Sequence, residues 1–198
     1  MEFKNKQNRL IVEHLTGKEY WHSRSVAVNG TIIIFVQGRP IPYVLVSERG
    51  PNSADFQGLL NVVAGYLDWD ESGTEAIYRE TWEETGLDLK ALAYPDDDLS
   101  NVTSEVIRND LENPWHVKTD PWTSNRQNVS LRYGFIAALR IPLFPEVNLE
   151  NNEVEGEVSK VWWMPVNEID RYEWAFDHDK MIKDYLARAG LLKFVHNR

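Results

Sequence analysis

Cysteine is absent from all 198 residues. That excludes a disulfide framework, a thiolate metal site and a cysteine nucleophile. Long hydrophobic runs are also missing. The densest, IIIFV at 32–36, is far too short to span a bilayer, so no membrane partner is expected. The N-terminal stretch MEFKNKQNRLIVEHLTGKEY is polar and lacks the apolar segment of a secretory signal. Positive charge is scarce, with 21 Lys and Arg against 31 Asp and Glu and a formal net charge of −10. A chain this acidic is a poor match for a phosphate backbone contacted many times, so nucleic acid is not an expected partner. A small anion can still bind where a metal ion or a local arginine supplies the charge. The five histidines, His14, His22, His116, His178 and His196, show no metal-ligand spacing. The composition suits a soluble cytoplasmic protein.

What is present is an ordinary globular balance, 42% hydrophobic and 26% charged, enough for one good core. One domain over residues 1–198 is expected, with 1–24 as an N-terminal extension and no repeats. TIIIFVQ (31–37) and IPYVLVSER (41–49), separated by the turn signal GRP, read as a strand hairpin. NVVA (61–64) is a short apolar stretch running into Gly65. LDLKALAY (87–94), NVSLRYGFIAALRI (128–141) and KVWWM (160–164) read as further strands, and Trp162 and Trp163 would face opposite ways. DHDKMIKDYLARA (177–189) carries Met181, Ile182, Tyr185, Leu186 and Ala189 on one face of a helix that Gly190 closes, with His178 capping or flanking its start. Strands and helices alternate irregularly, which predicts an α/β fold with helices packed on a mixed sheet.

The stretch RETWEETG (79–86) lies inside a second helix whose ends are both marked. Ser72 and Glu75 fit a capping box at the start, and Gly86 stands at the left-handed stop position. Glu80, Glu83 and Glu84 fall within an arc of roughly 100° on this helix, where like charges repel by a few tenths of a kcal/mol per pair. Ile77 and Thr81, and further round Tyr78 and Trp82, form the side expected to pack on the sheet. Arg79 sits beside the stripe with a rigid fork of donors able to hold carboxylates in place. A solvated acidic face would explain the stripe, but hard divalent cations want several oxygen ligands, and coordination turns the repulsion into binding.

GYLDWDESGTEAIYRETWEETGL, residues 65–87, resembles the box of the Nudix hydrolase family, G-x5-E-x7-R-E-U-x-E-E-x-G-U with U a bulky aliphatic. Gly65, Glu71, Arg79, Glu80, Glu83, Glu84, Gly86 and Leu87 match at the right spacing, and Thr81 is the one departure. The resemblance implies a Nudix-like α/β/α sandwich with helices on both faces of a mixed sheet. It also implies hydrolysis of a nucleoside diphosphate linked to another group, with Mg²⁺ or Mn²⁺ as cofactor and a small nucleotide-diphosphate substrate as partner. Under it, Glu80, Glu83 and Glu84 match the metal-binding carboxylates, with Glu83 and Glu84 central to catalysis, and Glu71 and Arg79 match the pair that braces the turn into the helix. Gly65 would let the backbone approach the metal–phosphate assembly closely.

Val63-Ala64-Gly65 is similar to the start of the box in ADP-ribose pyrophosphatases, which makes the Ala64 carbonyl a candidate metal ligand. WAFDHDKMI (174–182) resembles a segment of some ADP-ribose-type members, whereas Val102 and Thr103 stand where those pyrophosphatases carry a proline. The lean is therefore towards ADP-ribose or a nucleotide sugar. A further carboxylate is expected from NNEVEGEVSKVWWMP (151–165): Glu153, Glu155 as a base, or Glu157 as a metal ligand. If that segment is extended, all three point the same way and are not ranked. Arg49 is a candidate to meet a phosphate. Residues 109–128, rich in Pro, Asn and Asp, read as a long loop in which Trp115 or Trp122 could stack on a base, pack at a homodimer interface or cap the core. Two function classes remain: a metal-dependent hydrolase, and a sensor of the same fold that binds ADP-ribose or a related nucleotide without turnover. The complete set of box carboxylates favours the hydrolase. An isoprenoid isomerase on this fold would bring a catalytic cysteine, which the chain lacks.

Overall fold

The computed structural model describes residues 9–22, 25–94, 104–119, 129–152 and 154–195. Within the expected N-terminal extension, β1 (Arg9–Val12) and β2 (Glu19–His22) pair antiparallel as a separate two-stranded sheet. The main sheet begins with β3 (Val26–Val36) and β4 (Tyr43–Arg49), followed by the short β5 (Leu60–Asn61) and β6 (Val63–Tyr66). Helices α1 (Gly73–Thr85) and α2 (Leu89–Ala93) come next, then β7 (Ser104–Asp110), β8 (His116–Thr119), β9 (Val129–Leu139) and β10 (Val158–Pro165). Helix α3 (His178–Arg188) follows two 3-10 turns, Val166–Arg171 and Ala175–Asp177.

The strands order as β10-β4-β3-β9-β7, with β6 also on β3, β5 on β4 and β8 on β9. Only the β3–β9 pair among these is parallel, running in register from Val26↔Val129 to Val36↔Leu139. Helices cover β3 on both faces, so it has no solvated side, and this explains the unbroken apolar run IIIFV. Alternation sends Ile32 into a cluster with Ala76 and Ile77 of α1 and Leu89 of α2. Its neighbour Ile33 joins Met181, Ile182, Tyr185 and Leu186 of α3 on the opposite face. The expected sandwich of helices on both faces of a mixed sheet is what the chain adopts. On the α3 face, Tyr185 lies flat against Gly134 of β9, where a Cβ would sit 2.1 Å from its ring, and its hydroxyl donates to Asp110 Oδ2 at 2.9 Å.

Four local expectations are corrected. LDLKALAY is not a strand: the Asp88 side chain accepts the Ala91 N–H at 2.8 Å and caps α2, which buries Leu89 and Ala93 one turn apart. The stretch 109–128 is not one long loop. β7 runs to Asp110, and 116–119 pairs with β9 from His116↔Arg132 to Thr119↔Val129, a long-range partner that local polarity hides. Trp82 does not pack on the sheet; it lies well round the helix from Ile77 and is 48% exposed. The segment before β10 is not extended: the Glu157 N–H donates to the Val154 carbonyl and Gly156 takes a left-handed φ of 77°, making a turn. Trp162 and Trp163 do face opposite ways, the first onto the α3 cluster and the second onto the α1 cluster.

Candidate active site

Helix α1 starts and stops where its sequence marks it. The Ser72 hydroxyl oxygen accepts the Glu75 N–H at 3.2 Å, and Glu75 returns the bond by accepting the Ser72 N–H at 2.8 Å. At the far end Gly86 sits at φ 68° and donates to the Trp82 carbonyl. Thr81, the departure from an aliphatic position, is fully buried and donates its hydroxyl to the Ile77 carbonyl at 2.6 Å. The extra polar group is thus satisfied inside the helix and does not disturb the packing.

Arg79 is the hub of the acidic face. Its Nε and Nη2 form a two-pronged bond to Glu71 at 3.0 and 2.7 Å, and Nη2 also donates to the Tyr66 carbonyl at 3.0 Å. Its Nη1 lies 2.8 Å from Glu83 Oε2 and 2.9 Å from Glu80 Oε1. Glu71 in turn accepts the Asp68 N–H at 2.9 Å, so the Arg79–Glu71 pair staples the approach loop onto the helix. The Arg79 hydrogen bond holds Glu71 below the ordinary carboxylate range.

Glu80 and Glu84 both turn towards β6. Glu84 is buried and accepts the Ala64 N–H at 3.3 Å. Glu80 packs on Gly65, where a Cβ would meet its carboxylate oxygen at 1.9 Å. Burial pushes Glu80 up to about 7 despite the adjacent Arg79. One guanidinium shared among Glu71, Glu80 and Glu83 cannot offset the desolvation of a carboxylate it only partly neutralises. Glu84 is raised well above the usual range, first by burial and then by the charge of Glu80.

Among the described residues no three His, Asp or Glu side chains are drawn together in metal-ligating geometry, and Arg79 is paired with Glu80 and Glu83. The donor set nonetheless fits a hard divalent cation. It has two desolvated carboxylates one helical turn apart, Glu83 on the same helix, and a glycine where any side chain would fill the space Glu80 occupies.

The other candidates fall into three groups. The charge of Glu157 adds to the rise of Glu80 and Glu84, behind the larger effect of burial. Glu155 and Glu157 are both exposed, so burial does not rank the two; Glu153 lies outside the described residues. Arg49 does not touch the carboxylates. Its Nε donates to the Asp55 carbonyl at 2.8 Å and its guanidinium lies 5.2 Å above the Phe176 ring, while its charge reaches Glu84 and His178. Trp115 packs against the α3 cluster, its indole N–H donating to the Tyr133 carbonyl at 3.1 Å and its ring 5.4 Å from that of Tyr185. Trp122 lies outside the described residues.

Sequence reading missed a second wall beside Arg49. Phe56 and Phe176 meet edge to face at 4.8 Å, and both hold positive φ, 55° and 57°. His178 lies 5.5 Å from Phe176, accepts the Val62 N–H on Nδ1 at 3.3 Å, and is pushed down to about 3 by burial, so it is neutral. Bulky residues in the left-handed region leave no trace in composition; the nearest signal was the segment WAFDH itself.

Residues 26–185 match the family model of the NUDIX domain. The chain belongs to the NUDIX family. A human relative of this family, the mitochondrial NAD(P)H pyrophosphatase NUDT13, is 33% identical over 84 residues, covering 40% of this chain and 24% of its own length. The match thus spans about a quarter of that relative. Two solved NUDIX-fold structures are similar in architecture. One is the NUDIX domain of Shewanella oneidensis NrtR complexed with ADP ribose, with TM-score 0.55, 18% identity, and 84% of this chain and 88% of that one covered. The other is a bifunctional NMN adenylyltransferase/ADP ribose pyrophosphatase from Francisella tularensis with AMP and a Mn ion, with TM-score 0.57, 20% identity, and coverage of 85% and 42%. Among the described residues of this NUDIX chain, no helix is long and apolar enough to cross a membrane.

Proposed function

We propose that the chain is a metal-dependent pyrophosphohydrolase that cleaves the diphosphate of a nucleoside diphosphate linked to a second group, ADP-ribose or a nucleotide sugar. The observation that carries this is the pair formed by the half-buried Glu80 and the buried Glu84, set against the Ala64–Gly65 backbone with a shared arginine beside Glu80. Two raised carboxylates at one place are costly to keep, and a divalent cation is the ligand that would make them favourable. The pyrophosphatase names of the human and Francisella relatives, and the ADP ribose bound by the Shewanella domain, support the substrate class.

Glu80 and Glu84, with Glu83 on the same helix and Glu157 as the candidate from outside it, would hold Mg²⁺ or Mn²⁺, which supplies Lewis-acid neutralisation of phosphate charge when bound. Substitution at phosphorus is then mainly a matter of position and electrostatics. Arg79 fixes the direction of Glu83 and ties the loop 66–71 to the helix, so the carboxylates stay in place as charge shifts during reaction. Arg49, fixed over Phe176, is a cation that could meet the substrate phosphate. With a net charge of −10, nucleic acid is no part of this reading.

The test is a substrate panel with Mg²⁺ or Mn²⁺: ADP-ribose, NADH, nucleotide sugars, dinucleoside polyphosphates and nucleoside triphosphates. Release of a nucleoside monophosphate that stops on chelation is the expected result. Tight binding of one member without turnover of any would establish the sensor instead.

A further inference from the structure

Among the described residues three that are not glycine hold positive φ, and they stand at one place: Phe56 at 55°, Phe176 at 57° and Asp177 at 59°. An aromatic side chain in the left-handed region is an outlier, and such a backbone persists only where its surroundings over-determine it. Here two loops fold onto Arg49. The turn after β4 closes on its backbone and delivers Phe56: the Arg49 carbonyl accepts the Gly58 N–H at 2.7 Å, and the Arg49 N–H donates to the Leu59 carbonyl at 3.0 Å. The WAFDH segment delivers Phe176, and is drawn in where the Leu60 N–H donates to the Glu173 carbonyl at 3.1 Å. The two rings meet edge to face at 4.8 Å, and the Arg49 guanidinium lies over Phe176 at 5.2 Å, within the range where a ring attracts a cation.

Arg49 is half-buried, and its Nε is taken by the Asp55 carbonyl at 2.8 Å. Its Nη1 and Nη2 make no hydrogen bond or ion pair with the described residues. Arg79, Arg108 and Arg171 each have a carboxylate partner. In a chain of net charge −10, Arg49 is thus stacked on a ring instead of paired with an acid. The wall also lies close to the carboxylates. His178, 5.5 Å from Phe176, accepts the Val62 N–H at 3.3 Å, and Glu84 accepts the N–H of Ala64 at the same distance. Two residues of extended chain, about 7 Å, separate those two anchor points.

We propose that Phe176, braced by Phe56, is a positioning residue for Arg49: the ring fixes the guanidinium so that its two terminal nitrogens take a phosphate of the substrate held at the carboxylates. The inference rests on the hydrolase reading above for where the diphosphate lies, and it gives the WAFDH segment its task. A planar fork of donors matches phosphate geometry. Fixing it beforehand removes the conformational freedom that a long side chain otherwise loses on binding.

The test is calorimetric titration of inorganic pyrophosphate, in Mg²⁺ and in chelator, into wild type, Phe176→Leu, Phe176→Tyr, Phe176→Gly, Arg49→Met and the double variants, with a thermal melt of each. Phe176→Leu keeps bulk without a ring and is expected to weaken pyrophosphate binding about 10-fold. Phe176→Tyr keeps the ring and should bind like wild type. Phe176→Gly accepts the left-handed backbone without strain, so it keeps the test open if Phe176→Leu folds poorly, and it should weaken binding as much. In the Arg49→Met background these changes should leave affinity unaltered, because the group they position is gone. On the substrate accepted in the panel, Phe176→Leu should raise KM and leave kcat unaltered. Equal weakening in both backgrounds would make the wall a purely structural feature and overturn the proposal. So would equal losses in Phe176→Tyr and Phe176→Leu, wild-type affinity in Phe176→Leu or Arg49→Met, or no binding of pyrophosphate by wild type. If any of these is found while chelation stops turnover in the panel, the wall fails and the hydrolase reading stands. If pyrophosphate binding depends on Phe176 and Arg49 but no panel member is turned over, the wall stands and the hydrolase reading falls.

Discussion

The carboxylate of Glu80 rests on the Cα of Gly65, with no space between them for a methyl group: a Cβ there would lie 1.9 Å from Oε1 and 2.0 Å from the carboxyl carbon. Residue 65 is therefore glycine because of this contact; its φ is not in the left-handed region. Gly65→Ala must displace Glu80 or push β6 away from α1. We expect turnover to fall at least ~100-fold, as when a charge-stabilising group is removed. Overpacking should cost about 1–3 kcal/mol of stability. Steady-state rates and urea melts on the same preparation check both, and unaltered turnover in a folded Gly65→Ala protein would show that the Glu80 position does not matter.

Glu83 and Glu80 share Nη1 of Arg79 at 2.8 and 2.9 Å. Glu83→Gln removes one of these partners and leaves Arg79 its two bonds to Glu71. Stability without added metal should change by no more than about 0.5–1 kcal/mol, the range for a partly exposed pair. The rate is a different matter: kcat should drop by two or more orders of magnitude. Melts with and without Mn²⁺ should show a smaller metal-induced rise for the variant than for wild type. Near-wild-type turnover would remove Glu83 from the cation platform.

Trp115 is half-buried and packs on the edge of the α3 cluster. Its ring lies against Tyr185, with Arg188 5.2 Å above it, and its N–H is bound to the Tyr133 carbonyl. Trp115→Ala should cost about 2–3 kcal/mol, less than for a fully buried tryptophan, with KM for the accepted substrate unaltered. A raised KM with little loss of melting temperature would return this tryptophan to the substrate site.

What was legible in the sequence was local. Ser72, Glu75 and Gly86 set the ends of α1 through contacts within four residues, and the spacing of Glu80, Glu83 and Glu84 then fixes their shared face. The β3 and β9 strands were legible because burial on both faces leaves continuous apolar runs. What escaped depends on partners far along the chain. β8 is a strand because β9 pairs with it, and Trp82 is exposed because Ile77 and Thr81 take the buried face. The turn at 154–157 is likewise held by residues 50–53, about a hundred positions earlier, a partnership that local sequence does not reveal. Helix α2 was misread for a different reason: five residues are too few for a period to show, and the Asp88 cap decides the matter.

The pH dependence of stability follows from the two desolvated carboxylates. Burial holds the proton on Glu80 up to about 7 in the folded protein, against 4.5 for the group in an ordinary setting. Between those values the folded state binds more protons than the unfolded state, so stability must fall as pH rises. The contribution of Glu80 is fully present below 4.5 and lost as pH passes through about 7. Glu84, raised well above its ordinary value, acts in the same direction. Glu71, lowered by its Arg79 hydrogen bond, acts oppositely, losing its contribution only on acidification through its folded value, below 4.5. Wild type without divalent cation should therefore lose about 1–3 kcal/mol between mildly acidic and neutral pH, since a tenfold difference in proton affinity between the folded and unfolded states is worth about 1.4 kcal/mol. Glu80→Gln carries no proton there and should flatten the slope. A divalent cation competes with the same proton, so the rise in melting temperature produced by Mn²⁺ should grow as pH approaches neutrality and stay small in Glu80→Gln. Melts at about pH 5, 6 and 7.5, in chelator and in Mn²⁺, measure both effects. Equal slopes for wild type and Glu80→Gln would mean that Glu80 is solvated in the folded protein, and the acidic stripe of α1 would then be an ordinary surface.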